Sequence, residues 1–236
     1  MEATAQPLHP LRINGERLLG RIDALAAIGA LAGGGVCRLA LSDEDKAGRD
    51  QVVAWMRELG LAVTIDRVGN VVGRRRGREE NAAPVVTGSH IDTVRTGGAL
   101  DGNLGVLAGL EVVARLNEAG ITTRRPLAVA FFTNEEGARF APDMLGSAVQ
   151  QGALPLEVAL GTRGIDGATV GEELARIGYA GEGRCELPAH AFVELHIEQG
   201  PVLDQEGVTI GAVTGVQGGG CGGGGCGGGG PSRGPR

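Results

Sequence analysis

The chain has 236 residues, 42% of them hydrophobic, and a formal net charge of −6. This length and composition are sufficient to bury the core of one domain or of two small ones, and they exclude a disordered protein. The acidic balance argues against a nucleic-acid partner or an anionic membrane surface, both of which favour a basic face, so we expect a small polar substrate.

The sequence shows no sign of a membrane or secreted protein. No apolar run approaches the roughly 20 residues that a membrane-spanning helix needs, and the first residues lack the charged-then-apolar order of a signal peptide. The 4 cysteines do not form the pattern of a disulfide framework. We therefore expect a cytoplasmic protein without a membrane partner.

Two helices and two short strands are predicted in the N-terminal part. Apolar residues recur at helical spacing over residues 12–31 and are followed by glycines. A second helix is expected after Ser42, an N-cap residue followed by three acidic side chains, and it ends at Gly60. Short strands follow at 62–66 and 70–73.

The next part alternates strand, helix and strand. An apolar strand at 84–87 runs into Gly88, Ser89 and His90, residues 103–116 have helical periodicity, and residues 127–132 form another apolar strand. Elements of these lengths predict a right-handed crossover. We therefore expect an α/β fold, with a largely parallel sheet and helices on both of its faces.

A third strand is expected at 191–195, and it again runs into polar residues. The carboxyl ends of strands in open α/β sheets bind ligands, so the polar residues after these three strands predict an active site. From residue 218 onward the chain is mostly glycine. We therefore predict one domain over residues 1–217 and a disordered tail over 218–236.

The residues that follow the strands include metal-binding types, namely His90, Asp92, Asp101, Glu135, Glu136 and His196. Imidazoles and carboxylates suit zinc, manganese or cobalt, and a two-metal hydrolase needs a cluster of them. Taken singly, each residue is also consistent with a structural histidine or a solvated acid.

The spacing of these residues is informative. His90 and Asp92 lie two positions apart, so on an extended strand end both point to one side, and the Asp92 carboxylate is expected to hydrogen-bond the His90 nitrogen that does not bind metal. Glu135 and Glu136 are adjacent and point apart, which allows one to bind metal and the other to reach a water.

Four segments carry a specific resemblance: GSHIDTV (88–94), LDGNLGV (100–106), TNEEGARF (133–140) and ELHIEQGPVL (194–203). They resemble the successive metal-site motifs of the M20 peptidase superfamily, in the branch that hydrolyses N-carbamoyl-L-amino acids and allantoate. GGGVCRLALSDEDKAGRD and VGNVVGRRRG also resemble its N-terminal region, so the resemblance covers about residues 12–217. It implies a zinc-exopeptidase-like catalytic domain.

The resemblance also implies roles for single residues. His90, Asp101 and His196 would bind one divalent ion, and Asp101 would bridge to a second ion that Glu136 also binds. Glu135 would be the general base. The two ions would be zinc, manganese or cobalt.

Two further positions follow from the same resemblance. It implies a cis peptide between Asp101 and Gly102. Gln199 is a candidate for substrate binding, with an ordinary polar loop residue as the alternative.

The HIEQGP segment favours carbamoyl and ureido substrates: N-carbamoyl-L-amino acids, β-ureido acids or allantoate. Two alternatives stay open, a metallo-aminopeptidase or dipeptidase of the same superfamily and an inactive remnant. The family continues beyond position 218 with a dimerisation domain and a further metal-binding histidine. We therefore expect a catalytic domain incomplete at its C-terminus, without the family's homodimer interface and with an unpaired sheet edge.

Overall fold

A computed structural model describes residues 11–215 and divides the chain into two units, residues 1–197 and 198–236. The predicted tail at 218–236 lies outside the described residues. In chain order, the described elements of the first unit are α1 (Gly15–Ala26), α2 (Asp43–Glu58), β1 (Ala62–Ile65), β2 (Val71–Arg75), β3 (Val85–His90), α3 (Asn103–Glu118), β4 (Leu127–Phe132), α4 (Leu145–Gln150), α5 (Leu156–Gly161), α6 (Val170–Ile177) and β5 (Ala191–Val193). The second unit contains a short helix, α7 (Val202–Gln205).

The five strands form one sheet in the order β1-β2-β4-β3-β5. β3 lies parallel to both β4 and β5, as the crossover predicted. β2 is antiparallel to β1, because the short connection between them returns the chain in the opposite direction, and it is also antiparallel to β4. The predicted α/β class is confirmed in a mixed sheet whose parallel strands are the ones that lead into the site.

The main core lies between one face of the sheet and α1 to α3, and it extends to buried residues of α4, α5 and α6. α2 contacts β1 and β2, α3 contacts β3 and β4, and α1 packs on α3. The opposite face of the sheet has a smaller cluster of Val86, Ala128 and Ala130, against which Leu187 packs. Buried residues of the main core include Val52, Met56, Val71, Leu107, Leu110, Val129 and Phe131. This packing fixes β3 and α3, the two elements that carry or flank the predicted ligands.

α2 agrees with the prediction at both ends, whereas α1 is shorter than predicted, since it begins at Gly15 and not at residue 12. Ser42 caps α2 by accepting a hydrogen bond from the backbone N–H of Asp45 at 3.2 Å. α1 ends at Ala26, well before residue 31. The chain turns back at Gly29, which has a φ of +83° and whose carbonyl accepts from the Cys37 N–H at 2.8 Å. A turn of this kind needs glycine and gives no signal in the apolar periodicity.

Residues 145–177 contain three short helices that the sequence did not predict. α4 and α5 have 6 residues each, too few for a clear periodic pattern, and helices of this length depend on packing with the rest of the fold. α6 begins with a capping box in which Thr169 and Glu172 satisfy each other's backbone N–H groups.

β5 is shorter than predicted and lies at the edge of the sheet. Its residues are exposed, with Phe192 at 45% and Val193 at 60%. The expected open sheet edge is therefore on β5. None of the helices within residues 11–215 combines the length and apolarity needed to cross a bilayer.

Candidate metal centre

Three of the predicted ligands meet beyond the carboxyl ends of β3 and β5. His90 ends β3, Asp101 lies just before α3, and His196 follows β5. One ligand atom of each residue lies within 4.8 Å of the other two. The Oδ1 atom of Asp101 is 3.3 Å from His196 Nε2 and 3.7 Å from His90 Nε2. Both histidines therefore present the same ring atom to one carboxylate.

Backbone carbonyls orient the two imidazole rings. The Nδ1 atom of His90 lies 2.9 Å from the carbonyl oxygen of Asp92, and that of His196 lies 2.8 Å from the carbonyl oxygen of Ile197. Because a carbonyl oxygen can only accept, Nδ1 of each ring carries the hydrogen. In the neutral rings this leaves the lone pair on Nε2, the atom that faces Asp101.

The carboxylate of Asp92 has a different contact from the one that the sequence predicted. Its Oδ1 atom is 4.0 Å from His90 Nδ1, beyond hydrogen-bonding distance, because the turn after β3 places the Asp92 carbonyl at that nitrogen instead. The two carboxylate oxygens accept from the backbone N–H groups of Glu135 and Glu136, at 3.2 and 3.3 Å. Asp92 therefore joins the end of β3 to the acidic segment that follows β4.

Gly102 makes the reversal between Asp101 and α3. The expected cis peptide is wrong: among the described residues the cis bond is Ala141–Pro142, and the Asp101–Gly102 bond is trans. The chain turns instead through the positive φ of Gly102, +65°. A Cβ atom at this position would lie 2.5 Å from three atoms of the His90 ring, including Nε2. Glycine is therefore required for the His90 ring to occupy its place.

Contacts beyond the β-ladder connect β5 to the rest of the site. The register of β3 and β5 ends at Thr87 and Val193, short of His196. Past that point the Ser89 hydroxyl donates to the Glu194 carboxylate. Within α3, a Cβ at Gly105 would lie 2.7 Å from the carbonyl oxygen of Leu195. Sequence reasoning missed both contacts, because they join residues that are far apart in the chain and carry no local pattern.

The two glutamates after β4 take different positions. Glu135 Oε2 lies 3.4 Å from His90 Nε2, next to the nitrogen that faces the proposed ion. Glu136 stands outside the 4.8 Å group formed by His90, Asp101 and His196. Its Oε1 atom is buried without a hydrogen-bond partner. A buried carboxylate oxygen of this kind indicates a missing donor or cation.

The charges in the site are crowded. Burial by itself lowers the pKa of His90, but the carboxylates of Asp92 and Glu135 outweigh it, and the pKa of the ring is raised above 6.5. Burial raises the pKa of Asp92 to about 6, against the opposing effect of His90. Burial also raises the pKa of Glu136 to about 7, with a further contribution from the charges of Asp101 and Asp92. Carboxylates that resist ionisation in this way mark a place where a cation would be favourable.

These residues fit a divalent metal ion. Two imidazole nitrogens and one carboxylate oxygen form the three-ligand donor set of catalytic zinc sites, and the same groups suit related transition ions. The unpartnered oxygen of Glu136 and the raised pKa values are consistent with that fit.

Gln199, the predicted substrate contact, belongs to the second unit, where its backbone has a φ of +53°. Within that unit, Glu198 accepts from the backbone N–H groups of Val202 and Leu203 at 3.0 and 2.9 Å and so caps α7. The role of Gln199 stays a prediction.

Comparison with known proteins agrees with this geometry. Residues 86–220 match the model of peptidase family M20/M25/M40. The chain is 44% identical over 215 residues to an N-carbamoyl-L-amino-acid amidohydrolase of Rhizobium meliloti, covering 91% of this chain and 52% of that relative. It is 37% identical over 216 residues to a ureidoglycolate hydrolase of Arabidopsis thaliana, covering 87% and 45%.

A solved structure gives the same result for the fold. A hydantoinase/carbamoylase family amidase from Burkholderia multivorans is 55% identical, with a TM-score of 0.82 over 83% of this chain and 48% of that one. The chain thus spans about half the length of the relatives that it matches. The family match itself covers more than half of the chain and includes all the predicted ligands. The chain therefore belongs to peptidase family M20/M25/M40.

Proposed function

We propose that this protein is a metal-dependent hydrolase of linear amides that cleaves the ureido C–N bond of N-carbamoyl-L-amino acids or allantoate. The observation that carries the proposal is the convergence of His90, Asp101 and His196 within 4.8 Å, in a chain that is 44% identical to an N-carbamoyl-L-amino-acid amidohydrolase. The name of the second relative, a ureidoglycolate hydrolase, also specifies a ureido compound.

Different residues of the chain would bind the metal ions and transfer the proton. His90, Asp101 and His196 would hold one ion of zinc, manganese or cobalt, and Asp101 together with Glu136 would hold a second. Such ions lower the pKa of a water and polarise a carbonyl group. Glu135, beside His90, would accept the proton of the attacking water and return it to the leaving nitrogen. Asp92 keeps Glu135 and Glu136 in place through their backbone N–H groups.

The substrate would be recognised by groups outside this cluster. We propose that Gln199 contacts it through its side-chain amide, which can both donate and accept hydrogen bonds. The ureido group offers two types of partner, N–H donors and a carbonyl acceptor, so an amide side chain is complementary to it.

Metal binding is tested first. Protein loaded with zinc, manganese or cobalt and then dialysed should retain about one ion per chain, since the first position has three protein ligands. His196→Ala should remove that ion. A folded wild-type sample that retains none would contradict the proposal.

Activity is tested on three kinds of substrate: N-carbamoyl-L-amino acids, allantoate and dipeptides. We expect ammonia release from the first two. Amino-acid release from dipeptides alone would favour the peptidase alternative, and retained metal without any turnover would favour the inactive remnant.

A pair of variants tests the general base. Glu135→Gln should lower turnover by about 100-fold or more while metal retention stays unchanged. Glu157→Gln is the matched control, because this side chain is 81% exposed and belongs to a surface ion pair. Full activity in Glu135→Gln would assign the proton transfer to another group.

A further inference from the structure

We propose that Arg38 is a positioning residue for the metal centre, holding the segment of His90 and the turn of Asp101 at a fixed separation. This inference rests on the proposed function in one respect, that the cluster binds a divalent cation. Arg38 contacts none of the three ligand side chains directly. It acts through the residues next to them.

The side chain of Arg38 bridges the two ligand-bearing segments. Its Nε atom donates to the carbonyl oxygen of Ile91 at 2.8 Å, and Ile91 stands between His90 and Asp92. Its Nη2 atom donates to Oδ1 of Asn103 at 3.0 Å. Asn103 is the first residue of α3, directly after the Asp101–Gly102 turn. One planar guanidinium therefore sets the distance between the end of β3 and the start of α3.

The same guanidinium is anchored to a third element. Its Nη1 atom donates to the carbonyl oxygens of Leu25 and Ile28, both at 2.8 Å. Leu25 lies in the last turn of α1, which contains no basic residue of its own, and Ile28 lies two residues beyond the end of that helix. Terminal carbonyls of a helix lack intrahelical donors, so they are suited to accept from a cation. These two hydrogen bonds fix the position of the guanidinium, so that it does not move with the His90 segment or with the Asp101 turn.

The backbone of Arg38 adds a second connection to the same loop. Its N–H donates to the Thr93 hydroxyl at 2.8 Å, and the Thr93 N–H donates to the Arg38 carbonyl at 2.9 Å. Together with the bond to Ile91, these contacts hold the residues on both sides of Asp92. Arg38 therefore holds the loop that orients the His90 ring from one side, while the Asp92 carboxylate connects it to Glu135 and Glu136 on the other.

The environment of Arg38 is costly for a cation, so we attribute its role to the geometry of its hydrogen bonds and not to its charge. The side chain is fully buried, and within residues 11–215 no carboxylate lies within 4.0 Å of its guanidinium. Burial lowers its pKa, and the charges of Asp45 and Asp92 only partly offset that effect. A Cβ at Gly48 would lie 2.9 Å from Arg38 Cδ, so α2 leaves space for the side chain. A hydrophobic residue would fill this space at lower cost, but it would remove the donor to the oxygens of Ile91, Ile28 and Asn103, and the Leu25 carbonyl would keep only its bond from the Ile28 N–H at 3.2 Å.

Lysine is not equivalent to arginine at this position. A lysine ammonium is a single point with three donors, whereas the planar fork of arginine reaches partners in different directions at once. Arg38→Lys therefore keeps the positive charge and removes the simultaneous bonds to Ile91 and Asn103. Asn103→Ala removes one arm of the bridge, together with the bond that Asn103 Nδ2 donates to the Ala99 carbonyl at 3.2 Å, and leaves Arg38 and its anchor intact.

The experiment measures zinc affinity and stability for the same set of proteins. Zinc dissociation constants are determined by competition with a chromophoric chelator, and unfolding by urea is followed on metal-free samples. Replacing residues that orient metal ligands typically weakens metal affinity by about 10- to 100-fold, and we expect a loss in this range for Arg38→Lys and a smaller one for Asn103→Ala. Arg17→Met is the control, since Arg17 contacts Asn14, Glu111 and Glu118 and neither ligand segment.

The outcomes separate this inference from the proposed function. Weakened zinc binding in Arg38→Lys and Asn103→Ala, with wild-type affinity in Arg17→Met, supports the positioning role. If Arg38→Lys does not fold, Asn103→Ala decides by the same criterion. Wild-type affinity in the folded variants, or an equal loss in Arg17→Met, overturns the inference while the function stands. A wild-type chain that binds none of zinc, manganese and cobalt contradicts both.

Discussion

His90 and His196 present the same ring atom to Asp101, yet the fold supports them very differently. His90 is 2% exposed and ends a strand that is paired on both sides and covered by α3. The side chain of His196 is 31% exposed and follows a three-residue strand that pairs on one side. One predicted ligand is part of the core and the other lies at an edge of the sheet.

This difference shows which part of the site is set by folding. The His90 side is built from buried backbone turns, hydrogen bonds and a glycine in contact with the ring. The His196 side depends on the short β5 ladder, the Ser89–Glu194 contact and the packing of Gly105 on Leu195. Substitutions on the His90 side should therefore affect both stability and metal binding. Substitutions on the His196 side should affect metal binding with little change in stability.

The largest effect on zinc affinity is expected on the His90 side of the site, for Gly102→Ala. The added Cβ would collide with the His90 ring and displace Nε2, so zinc affinity should fall by about 100-fold or more. Gly120→Ala is a matched control: Gly120 has a φ of +64°, close to the +65° of Gly102, but nothing lies within 4 Å of its Cβ position. Both variants should lose about 1–2 kcal/mol of stability from the left-handed backbone. Equal zinc affinities in chelator competition would show that the contact with His90 is unimportant.

The second effect is a loss of stability without a loss of metal, in Arg17→Met. Arg17 donates to both oxygens of Glu111, at 2.7 and 2.8 Å, and the Glu111 side chain is fully buried. Removing the cation should cost about 2–3 kcal/mol, less than for a fully buried pair because Arg17 is partly exposed. Arg67→Met is the control, since its pair with Glu157 is exposed on both sides.

The same pair predicts a pH dependence. Burial alone would raise the pKa of Glu111, but the hydrogen bonds from Arg17 and Asn14 outweigh it and lower the pKa below 4.5. A lowered pKa in the folded state contributes stability above pH 4.5, and this contribution is lost as the pH falls through the folded value. Urea unfolding should therefore show a gap between wild type and Arg17→Met that is full near neutral pH and narrows below pH 4.5. A gap that widens in acid would contradict the assignment.

The third effect is a smaller loss of zinc affinity on the His196 side of the site, in Ser89→Ala. Without the hydroxyl, Glu194 loses its contact with the end of β3, and His196 is placed less firmly. One hydrogen bond contributes about 1 kcal/mol, which corresponds to about a fivefold loss of zinc affinity. Ser42→Ala is the control: it removes the N-cap of α2 and should cost about 1 kcal/mol of stability while zinc affinity stays unchanged. If Ser89→Ala binds zinc like the wild type, the β5 ladder alone suffices to position His196.

The sequence predicted the elements and ligands that have strong local signals. Continuous apolar runs identified β3 and β4, and helical periodicity identified α3. Burial against the core imposes these patterns of apolar residues on the sequence of each element. The residue types gave six candidate ligands, and the resemblance to the M20 superfamily singled out His90, Asp101 and His196, which the structure brings together. The strands, the helix and the list of candidates needed only neighbouring residues and the rule that parallel strands end at one edge of the sheet, whereas the choice of ligands needed the resemblance.

The features of the site that the sequence did not predict depend on contacts between residues that are distant in the chain or on the local path of the backbone. Arg38 reaches Asn103 across 65 positions and Ser89 reaches Glu194 across 105, so neither bond leaves a spacing pattern. The contact between His90 and Asp92 was assigned to the wrong oxygen, because the choice between carboxylate and carbonyl is made by the turn after β3. A trans peptide with a positive φ at Gly102 reverses the chain where a cis bond was expected.

The smallest effect is expected at the open edge itself, in Val193→Lys. Val193 is 60% exposed on β5, so this substitution should change stability by less than about 0.5 kcal/mol. An exposed apolar edge strand favours pairing between chains, and a lysine there opposes it, so self-association measured by sedimentation velocity should decrease. Val112→Lys adds the same charge at a valine that is 46% exposed on α3, away from any strand edge. An equal decrease in both variants would mean that net charge, and not the edge of β5, controls association. A decrease in Val193→Lys alone would show that the chains associate through β5, the edge strand that leads to His196.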